Sequence, residues 1–225
     1  MFAMFARLRS NRSSNLLLEI LMIVIGINIA LWFEGWFDDL KDAETEQQYL
    51  MGLRDDLSAD LKTLDAVIAT NAAKLEQLGE IIPALPSLLE RSGEDQAQAV
   101  FAPSSYLFFQ PSDFTYRSMQ ESGDFHLLSD AETKKGILRL VRQYRDIDVL
   151  QGNFLQAMDD EYIPLVMSGF DLIEARVSDP ALLQDQVFKN FFAYTYQDIE
   201  ARLIVYSSAR DDTTDLLALI ESQIR

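Results

Sequence analysis

The feature that most constrains this chain is an apolar run of 22 residues, 16–37, close to the N-terminus. As a helix rising 1.5 Å per residue, the run would be about 33 Å long, which matches the hydrocarbon core of a bilayer. Trp32 and Trp36 lie near its C-terminal end, as expected of interfacial anchors at a membrane–water boundary. The run therefore predicts one transmembrane helix, with membrane lipid as its immediate surroundings.

The charges on either side of this run predict its orientation. Residues 1–15 carry Arg7, Arg9 and Arg12 and no acid, whereas acids dominate after residue 37. By the positive-inside rule the three arginines anchor a cytoplasmic tail, 1–15, and residues 38–225 are exported. In a bacterium this places the chain in the inner membrane with a periplasmic domain. A cleaved signal peptide has the same basic start, but the bulky aromatic end offers no small-residue cleavage site.

The faces of the predicted membrane helix carry polar and small residues. At 100° per residue, Glu19, Gly26 and Ala30 share one side, and Asn28 lies opposite Glu19. Gly26 and Ala30 form a small-xxx-small pair that permits close helix packing, and polar groups at membrane depth usually face protein. We expect packing on two faces, in a homo-oligomer or against other integral membrane subunits. Alternatively, Glu19 lies shallow and reaches the headgroups, and the small residues have no special role.

The composition favours long helices and excludes several kinds of chemistry. Gly (9) and Pro (6) are scarce in 225 residues, and hydrophobic residues make up 48%, which is too many for a disordered chain. A net charge of −17 argues against nucleic acid as a partner and suits either a cationic partner or simple solubility. The absence of cysteine excludes disulfides, thiol nucleophiles and cysteine-based zinc sites.

Apolar residues after the membrane run recur at helical spacing. Their steps repeat every 11 residues and predict a nearly straight stripe on one helix face. The members of this stripe are Leu50, Leu53, Leu57, Leu61, Leu64, Ile68, Ala72 and Leu75. We expect the membrane helix to continue outward to about Leu78 and to stop at Pro83 and Pro86. The stripe either packs inside the domain or extends the contact between copies.

The middle of the chain has weaker signals. Residues 92–111 are the least regular, and we predict an extended segment there, with the aromatic residues 106–109 laid on the bundle. Ser112 or Asp113 is expected to cap a short helix that ends at Gly123.

The remaining signals predict two more long helices. Residues 129–132 fit a capping box that begins a helix reaching about Tyr162, where Pro164 bends or ends it. Asp179 and Pro180 mark another helix start, and the last helix runs over about 184–224. Four or five helices in all predict an all-α fold: a single N-terminal transmembrane helix that continues into a long helix, plus an antiparallel helical bundle.

Two sequence blocks resemble a family of small bacterial single-pass membrane proteins of unknown function. Residues 19–31, EILMIVIGINIAL, are similar to the pattern E-I-x-x-V-x-x-G-I-x-I-A-L, which is followed by a tryptophan. Residues 116–128, YRSMQESGDFHLL, are similar to L-x-S-S-G-x-L-x-L-I. This chain departs from the family at 33–35, where a polar run is usual, and at Met119, where leucine is usual. The resemblance implies an anchored helical domain and no known activity.

The sequence predicts no catalytic residue, no cofactor and no metal site. His126 is its one histidine and lacks companions for a metal site or a catalytic triad. Nucleotide-binding, HExxH and EF-hand motifs are missing. The acid runs 55–56, 159–161 and 211–212 are interpreted as solvated surface. The aromatic residues in 106–109 and 188–196 are interpreted as core, with a ligand pocket as the alternative.

These observations favour a non-catalytic, membrane-anchored interaction or scaffold protein, which self-associates or is an accessory subunit of a membrane complex. The alternative is a periplasmic helical sensor module. It would act through a membrane partner, because a tail of about 15 residues holds no output domain. An enzyme has no supporting motif. Proteins that work with proton-driven motors and transporters also have an acid in a single membrane helix before a periplasmic domain. In those proteins the acid is an aspartate, whereas this chain has Glu19, and the remainder of the sequence does not match them.

Overall fold

A computed structural model describes the backbone of residues 3–224 and the side chains of residues 18–224. The chain is 84% helical, which confirms the all-α prediction of a long apolar N-terminal helix followed by a helical bundle. It divides into two compact units, Met1–Tyr49 and Leu50–Arg225. The division falls within the first helix, α1, which comprises Ala3–Ala84. The first unit extends 12 residues beyond the predicted membrane run, to Tyr49.

The described part of the first unit is an exposed helical segment. All residues from 18 to 44 are exposed, and most of those up to Leu40 are apolar. Within the described residues, α1 is the one helix that is long and apolar enough to cross a membrane. Trp32 stacks on Trp36, with ring centroids 6.4 Å apart. An exposed apolar surface of this kind is consistent with membrane anchoring.

The second unit begins with the remainder of α1. The helices that follow are α2 (Gly93–Val100), α3 (Phe114–Ser122), α4 (Ala131–Ala157), α5 (Ile163–Gly169) and α6 (Gln186–Glu221). Short 3-10 turns occupy Leu85–Glu90, Asp124–Leu127 and Pro180–Gln184, and a π turn, Met158–Tyr162, joins α4 to α5. Two short antiparallel strands, β1 (Phe170–Asp171) and β2 (Arg176–Val177), form a hairpin with Phe170 opposite Val177.

Three long helices form the bundle, and two of the three helix pairs are antiparallel. Asp65 on α1 pairs with Arg210 near the end of α6, and Gly79 on α1 lies beside Tyr196 near its start. α4 is likewise antiparallel to α6, because Gly136 meets Leu216 and the ring of Phe154 meets that of Phe191. α1 and α4 therefore run in the same direction. This is possible because the segment between α2 and α3 returns along α1 before α4 begins.

The buried stripe of α1 differs from the predicted one. It follows a heptad repeat with steps of three and four residues, which is typical of helix seams. Its members are Leu50, Leu53, Leu57, Asp60, Leu64, Val67, Asn71 and Leu78. Leu61, Ile68 and Leu75 are only half-buried, and Ala72 is exposed. The prediction was wrong because it counted apolar residues only, whereas two seam positions are polar.

The sequence signals for helix starts and ends predicted some helix boundaries correctly and others incorrectly. Residues 93–100 form α2 rather than an extended segment, because Ser92 caps that helix and its Oγ accepts from Asp95 N at 3.2 Å. Asp130 rather than Ser129 caps α4, with Oδ2 accepting from Thr133 N at 2.6 Å. Gly123 ends α3 with a φ of +82°, as predicted.

Pro164 does not end the helical path, contrary to the expectation that it would bend or stop it. The π turn Met158–Tyr162 comes first, and Pro164 then lies in the first turn of α5. Proline is tolerated there because the first helical N–H groups have no partner within their own helix.

Candidate functional site

The extended segment of residues 105–113, here called the strap, is held by side chains rather than by a neighbouring strand. Asn71 Nδ2 donates to Leu107 O at 3.0 Å. Gln151 makes two bonds to Phe109: its Oε1 accepts from the backbone N at 2.9 Å and its Nε2 donates to the backbone O at 3.0 Å. Ser112 N donates to Asp60 Oδ1 at 2.6 Å. These side chains take over the backbone pairing that a sheet would otherwise supply.

Asp60 is the most unusual of these groups, because it is a carboxyl with only 1% of its surface exposed. Its Oδ1 accepts from the strap, and its Oδ2 accepts from the hydroxyl of Tyr144 at 2.9 Å. Burial raises the pKa of Asp60 to about 6, although the hydrogen bonds from Ser112 and Tyr144 act in the opposite direction. Asp60 therefore changes its charge close to neutral pH.

Tyr144 connects Asp60 to α6. Its hydroxyl lies 3.0 Å from Thr213 Oγ1 as well as in contact with Asp60, and its ring meets that of Phe109 in the strap at 4.9 Å between centroids. Burial and the negative charge of Asp60 raise the pKa of Tyr144, so it stays protonated. Carboxyl, phenol and threonine hydroxyl thus join α1, α4 and α6 in one network.

A second buried polar group, Arg202, lies beneath the strap. Its side chain is 1% exposed, and its Nε donates to Asp198 Oδ2 at 2.6 Å. The guanidinium carbon is 4.9 Å from the ring centroids of both Phe108 and Phe154. Nη1 and Nη2 have no hydrogen-bond partner among the described residues. The cation is therefore held by two aromatic faces, and one of them belongs to the strap.

The strap forms one wall of an open groove of about 460 Å³. Pro111 of the strap, Tyr116 and Arg117 of α3, and Arg145 and Asp148 of α4 line this groove. A smaller cavity of about 40 Å³ adjoins it. Its apolar walls come from α1, α4 and α6, namely Leu53, Leu57, Ile137, Leu140, Val141 and Leu216. The remaining lining residues are Asp56 and Asp60 of α1, Ser112 and Asp113 of the strap, Tyr116 of α3 and Tyr144 of α4. A concave, largely apolar site with a few polar groups and a shifted pKa is the usual form of a ligand site.

The predicted packing residues of the membrane helix all lie on the exposed part of α1. Glu19, Gly26 and Ala30 are exposed, and nothing lies within 4 Å of a Cβ placed at Gly26. Asn28 Nδ2 donates to Val24 O at 2.7 Å, so its own helix satisfies part of the amide. Its Oδ1 accepts no hydrogen bond from a described residue.

The predicted interfacial anchors are only partly described. Trp32 and Trp36 are exposed on α1, whereas the predictions for Arg7, Arg9 and Arg12 lie outside the residues whose side chains the structure describes. Within residues 18–224, no group of three or more acids and histidines is arranged to hold a metal ion. His126 Nδ1 lies 2.9 Å from Gly123 O, a local contact.

The residues that build the strap site were not predicted from the sequence. Asp60, Asn71 and Gln151 were not singled out, and Asp56, interpreted as solvated, is half-buried and accepts from Thr115 N at 2.9 Å. One signal was available, since Asp60 and Asn71 fall in the heptad register of the apolar residues of α1. A polar residue in such a register is a candidate for a buried polar contact.

Comparison with known proteins identifies a match to one uncharacterised family. The model of a family of unknown function (DUF6090) matches residues 19–196, which include the strap and all residues that line the groove. No curated protein and no solved structure matches the chain. The match covers well over half of the 225 residues, and the chain therefore belongs to this family of unknown function.

Proposed function

We propose that this chain is a membrane-anchored interaction protein without catalytic chemistry of its own, which self-associates or serves as an accessory subunit of a membrane complex. The observation that carries the proposal is the exposed apolar part of α1, from Leu18 to Leu40. An apolar surface of this extent needs lipid or other helices around it. We place the protein in a bacterial inner membrane, with the N-terminus cytoplasmic and residues 38–225 periplasmic.

The small-residue face supports self-association. A Cβ at Gly26 would meet open space, so the backbone of a second helix can approach there. The free Oδ1 of Asn28 can accept an interhelical hydrogen bond, which contributes roughly 0.5–2 kcal/mol in a membrane. Such a bond is weak alone, but in a symmetric oligomer it occurs once per helix.

Native mass spectrometry of the full-length protein in lipid nanodiscs tests this proposal. We expect a defined oligomer, or a stable complex with other membrane subunits, that is weakened by Gly26→Leu and by Asn28→Leu. The matched control is Ile27→Leu, which keeps the volume and lies about 100° around the helix from both Gly26 and Asn28. A monomer without co-purifying partners, or equal behaviour of all three variants, contradicts the proposal.

The orientation has a separate test. Alkaline phosphatase fused after residue 60 is expected to be active in a bacterial host, because the enzyme folds only when it is exported. Inactive fusions at this position, or a mature chain that lacks residues 1–37, contradict the assigned topology.

A sensor module acting through a membrane partner is the second candidate, and one observation favours it. Asp60, which lines the cavity beside the groove, is a residue of α1, and α1 also carries the apolar segment. A ligand that changed the packing around Asp60 would therefore act on the helix that crosses the membrane.

A further inference from the structure

The α4 wall of the groove presents one cation and one anion that the fold leaves unpaired. Arg145 and Asp148 both line the groove and are both exposed. Neither takes part in an ion pair with a described residue. Their spacing of three residues puts their Cβ atoms about 5–6 Å apart on one helix face. A ligand with two opposite charges close together can contact both.

The opposite wall repeats this balance of charges. Arg117 of α3 lines the groove together with Asp113, and its Nη2 donates to Asp113 Oδ2 at 2.6 Å. The groove thus contains two cations and two anions, in a chain whose net charge is −17. A free anion is repelled by such a chain, and a free cation in the groove meets its two arginines as well as its two acids. A molecule with no net charge but with both charges present is favoured here.

Besides the two charges, the adjoining cavity indicates a third feature of the ligand, a small apolar group. Its volume of about 40 Å³ is enough for about three water-sized groups. Because six of its twelve lining residues are leucine, isoleucine or valine and two more are tyrosine, it suits a short apolar branch better than water. Tyr116 and Tyr144 line both the cavity and the groove, so a ligand can extend from one into the other past these rings.

We propose that this groove binds a zwitterionic small molecule of the α-amino-acid type with a short apolar side chain. The carboxylate pairs with Arg145, the ammonium group pairs with Asp148, and the apolar side chain enters the cavity beside Tyr144. Two hydrogen-bond partners, Asp60 and Thr213, fix the hydroxyl of Tyr144, so one wall of the site is ordered before the ligand arrives. The inference is independent of self-association and gives the sensor alternative a class of ligand.

Isothermal titration of the full-length protein in phosphatidylcholine nanodiscs tests the ligand class. The probes are L-leucine, L-isoleucine and L-valine, each compared with isovalerate and isopentylamine, which carry one of the two charges. We expect saturable binding of at least one amino acid and an affinity lower by about tenfold or more for both single-charge compounds. No binding of any of the three amino acids up to about 10 mM, or equal binding of the single-charge compounds, overturns the proposal.

Two charge-removing variants test the assignment of residues. Arg145→Gln and Asp148→Asn are each expected to weaken amino-acid binding by about tenfold. Arg142→Gln and Asp146→Asn are matched controls, because both residues are exposed on the same helix and neither lines the groove. An equal loss in the controls, or unchanged binding in the first two variants, refutes the site. The oligomer is measured without ligand, so failure of self-association and failure of the site remain distinguishable.

Discussion

The two parts of α1 are both rich in apolar residues but present them differently. From Leu18 to Leu40 the apolar side chains lie on all sides of the helix and are exposed, with Ile23 at 56%. From Leu50 onward they are concentrated on one seam, where Leu64 is 0% exposed. The first pattern suits a surrounding of uniform polarity such as lipid, and the second suits a boundary between a core and water. The distribution of apolar residues around the helix, more than their number, distinguishes the two.

The asparagines of the two parts sharpen this difference. Asn28 and Asn71 both donate to the carbonyl four residues earlier, at 2.7 and 2.8 Å. Asn71 also donates to Leu107 O in the strap, whereas the described residues offer Asn28 no second partner. The second unit therefore supplies two acceptors to the Nδ2 group of Asn71, whereas the first unit supplies one to that of Asn28.

The largest expected effect comes from replacing a buried leucine of α1 with alanine, and the same replacement at an exposed leucine is the comparison. Leu64→Ala should lower the free energy of unfolding by about 2–5 kcal/mol, because it removes buried methyl groups and leaves a cavity. Leu21→Ala, at an exposed position, should change the unfolding of residues 50–225 by less than about 0.5 kcal/mol. Urea unfolding of the full-length protein in micelles, followed by circular dichroism, measures both. Similar losses for the two variants would remove the distinction drawn between the two parts.

The pH dependence of stability should depend on Asp60, which is the titrating group in the seam. Because burial raises its pKa from 3.8 to about 6, the folded state holds the proton more tightly than the unfolded state does. The stability from this proton is fully present below pH 3.8 and is lost as pH rises through about 6, a change of about 3 kcal/mol. Asp60→Asn does not titrate; its Oδ1 can still accept from Ser112 N, and its Nδ2 can donate to the hydroxyl of Tyr144.

Unfolding free energies of wild type and Asp60→Asn between pH 4 and pH 7.5 test this expectation. The variant should gain stability relative to wild type as pH rises, by up to about 3 kcal/mol. Asp55→Asn, an exposed neighbour, is the control and should follow the wild-type curve. Parallel curves for Asp60→Asn and wild type would show that Asp60 does not titrate in this range.

The attachment of the strap can be tested at Asn71. Asn71→Ala leaves Leu107 O without its donor, and we expect a loss of about 1–3 kcal/mol of unfolding free energy. Asn28→Ala should leave the unfolding of residues 50–225 unchanged. Amide hydrogen exchange offers a second measurement, because residues 105–113 should exchange faster in Asn71→Ala alone. Protection of the strap that is unaffected by this change would mean that the other side chains hold it unaided.

The smallest expected effect concerns the two glycines. A Cβ at Gly52 would lie 2.8 Å from Thr115 Oγ1, whereas one at Gly26 meets nothing within 4 Å. Gly52→Ala should therefore cost about 1–2 kcal/mol through overpacking against α3. Gly26→Ala should have almost no effect on the unfolding of residues 50–225. Thermal unfolding of the two variants in parallel gives the comparison, and a stabilised Gly52→Ala would show that α3 moves away without cost.

Several features were predictable because their causes lie within a few residues of each other. The apolar run, the scarcity of glycine and proline, and the signal at Gly123 depend on local conformation and hydropathy. The cap of α4 was misplaced by one residue, since Ser129 and Asp130 are both good capping residues and only the geometry selects Asp130. Helix α2 was missed because residues 93–100 have little apolar periodicity and rely on Ser92 for their start.

The candidate site was not predictable in the same way. Asp60 and Ser112 are 52 residues apart in the chain, and Gln151 meets Phe109 across 42. No periodicity connects such pairs, because each depends on the path by which the strap returns along α1. Burying an unpaired carboxyl is unfavourable, so hydropathy alone predicts that Asp60 is exposed.

Residue order alone was sufficient for the apolar helix, the helical fold and the lack of cysteine chemistry. The apolar helix and the helical fold follow from hydropathy and helix propensity, which act over one or two helical turns. The lack of cysteine chemistry follows from composition. The parallel course of α1 and α4, the burial of Asp60 and Arg202, and the groove beside the strap depended on packing. These features require groups from distant parts of the chain to satisfy one another's hydrogen bonds and charges, and such pairings exist only once the helices have assembled.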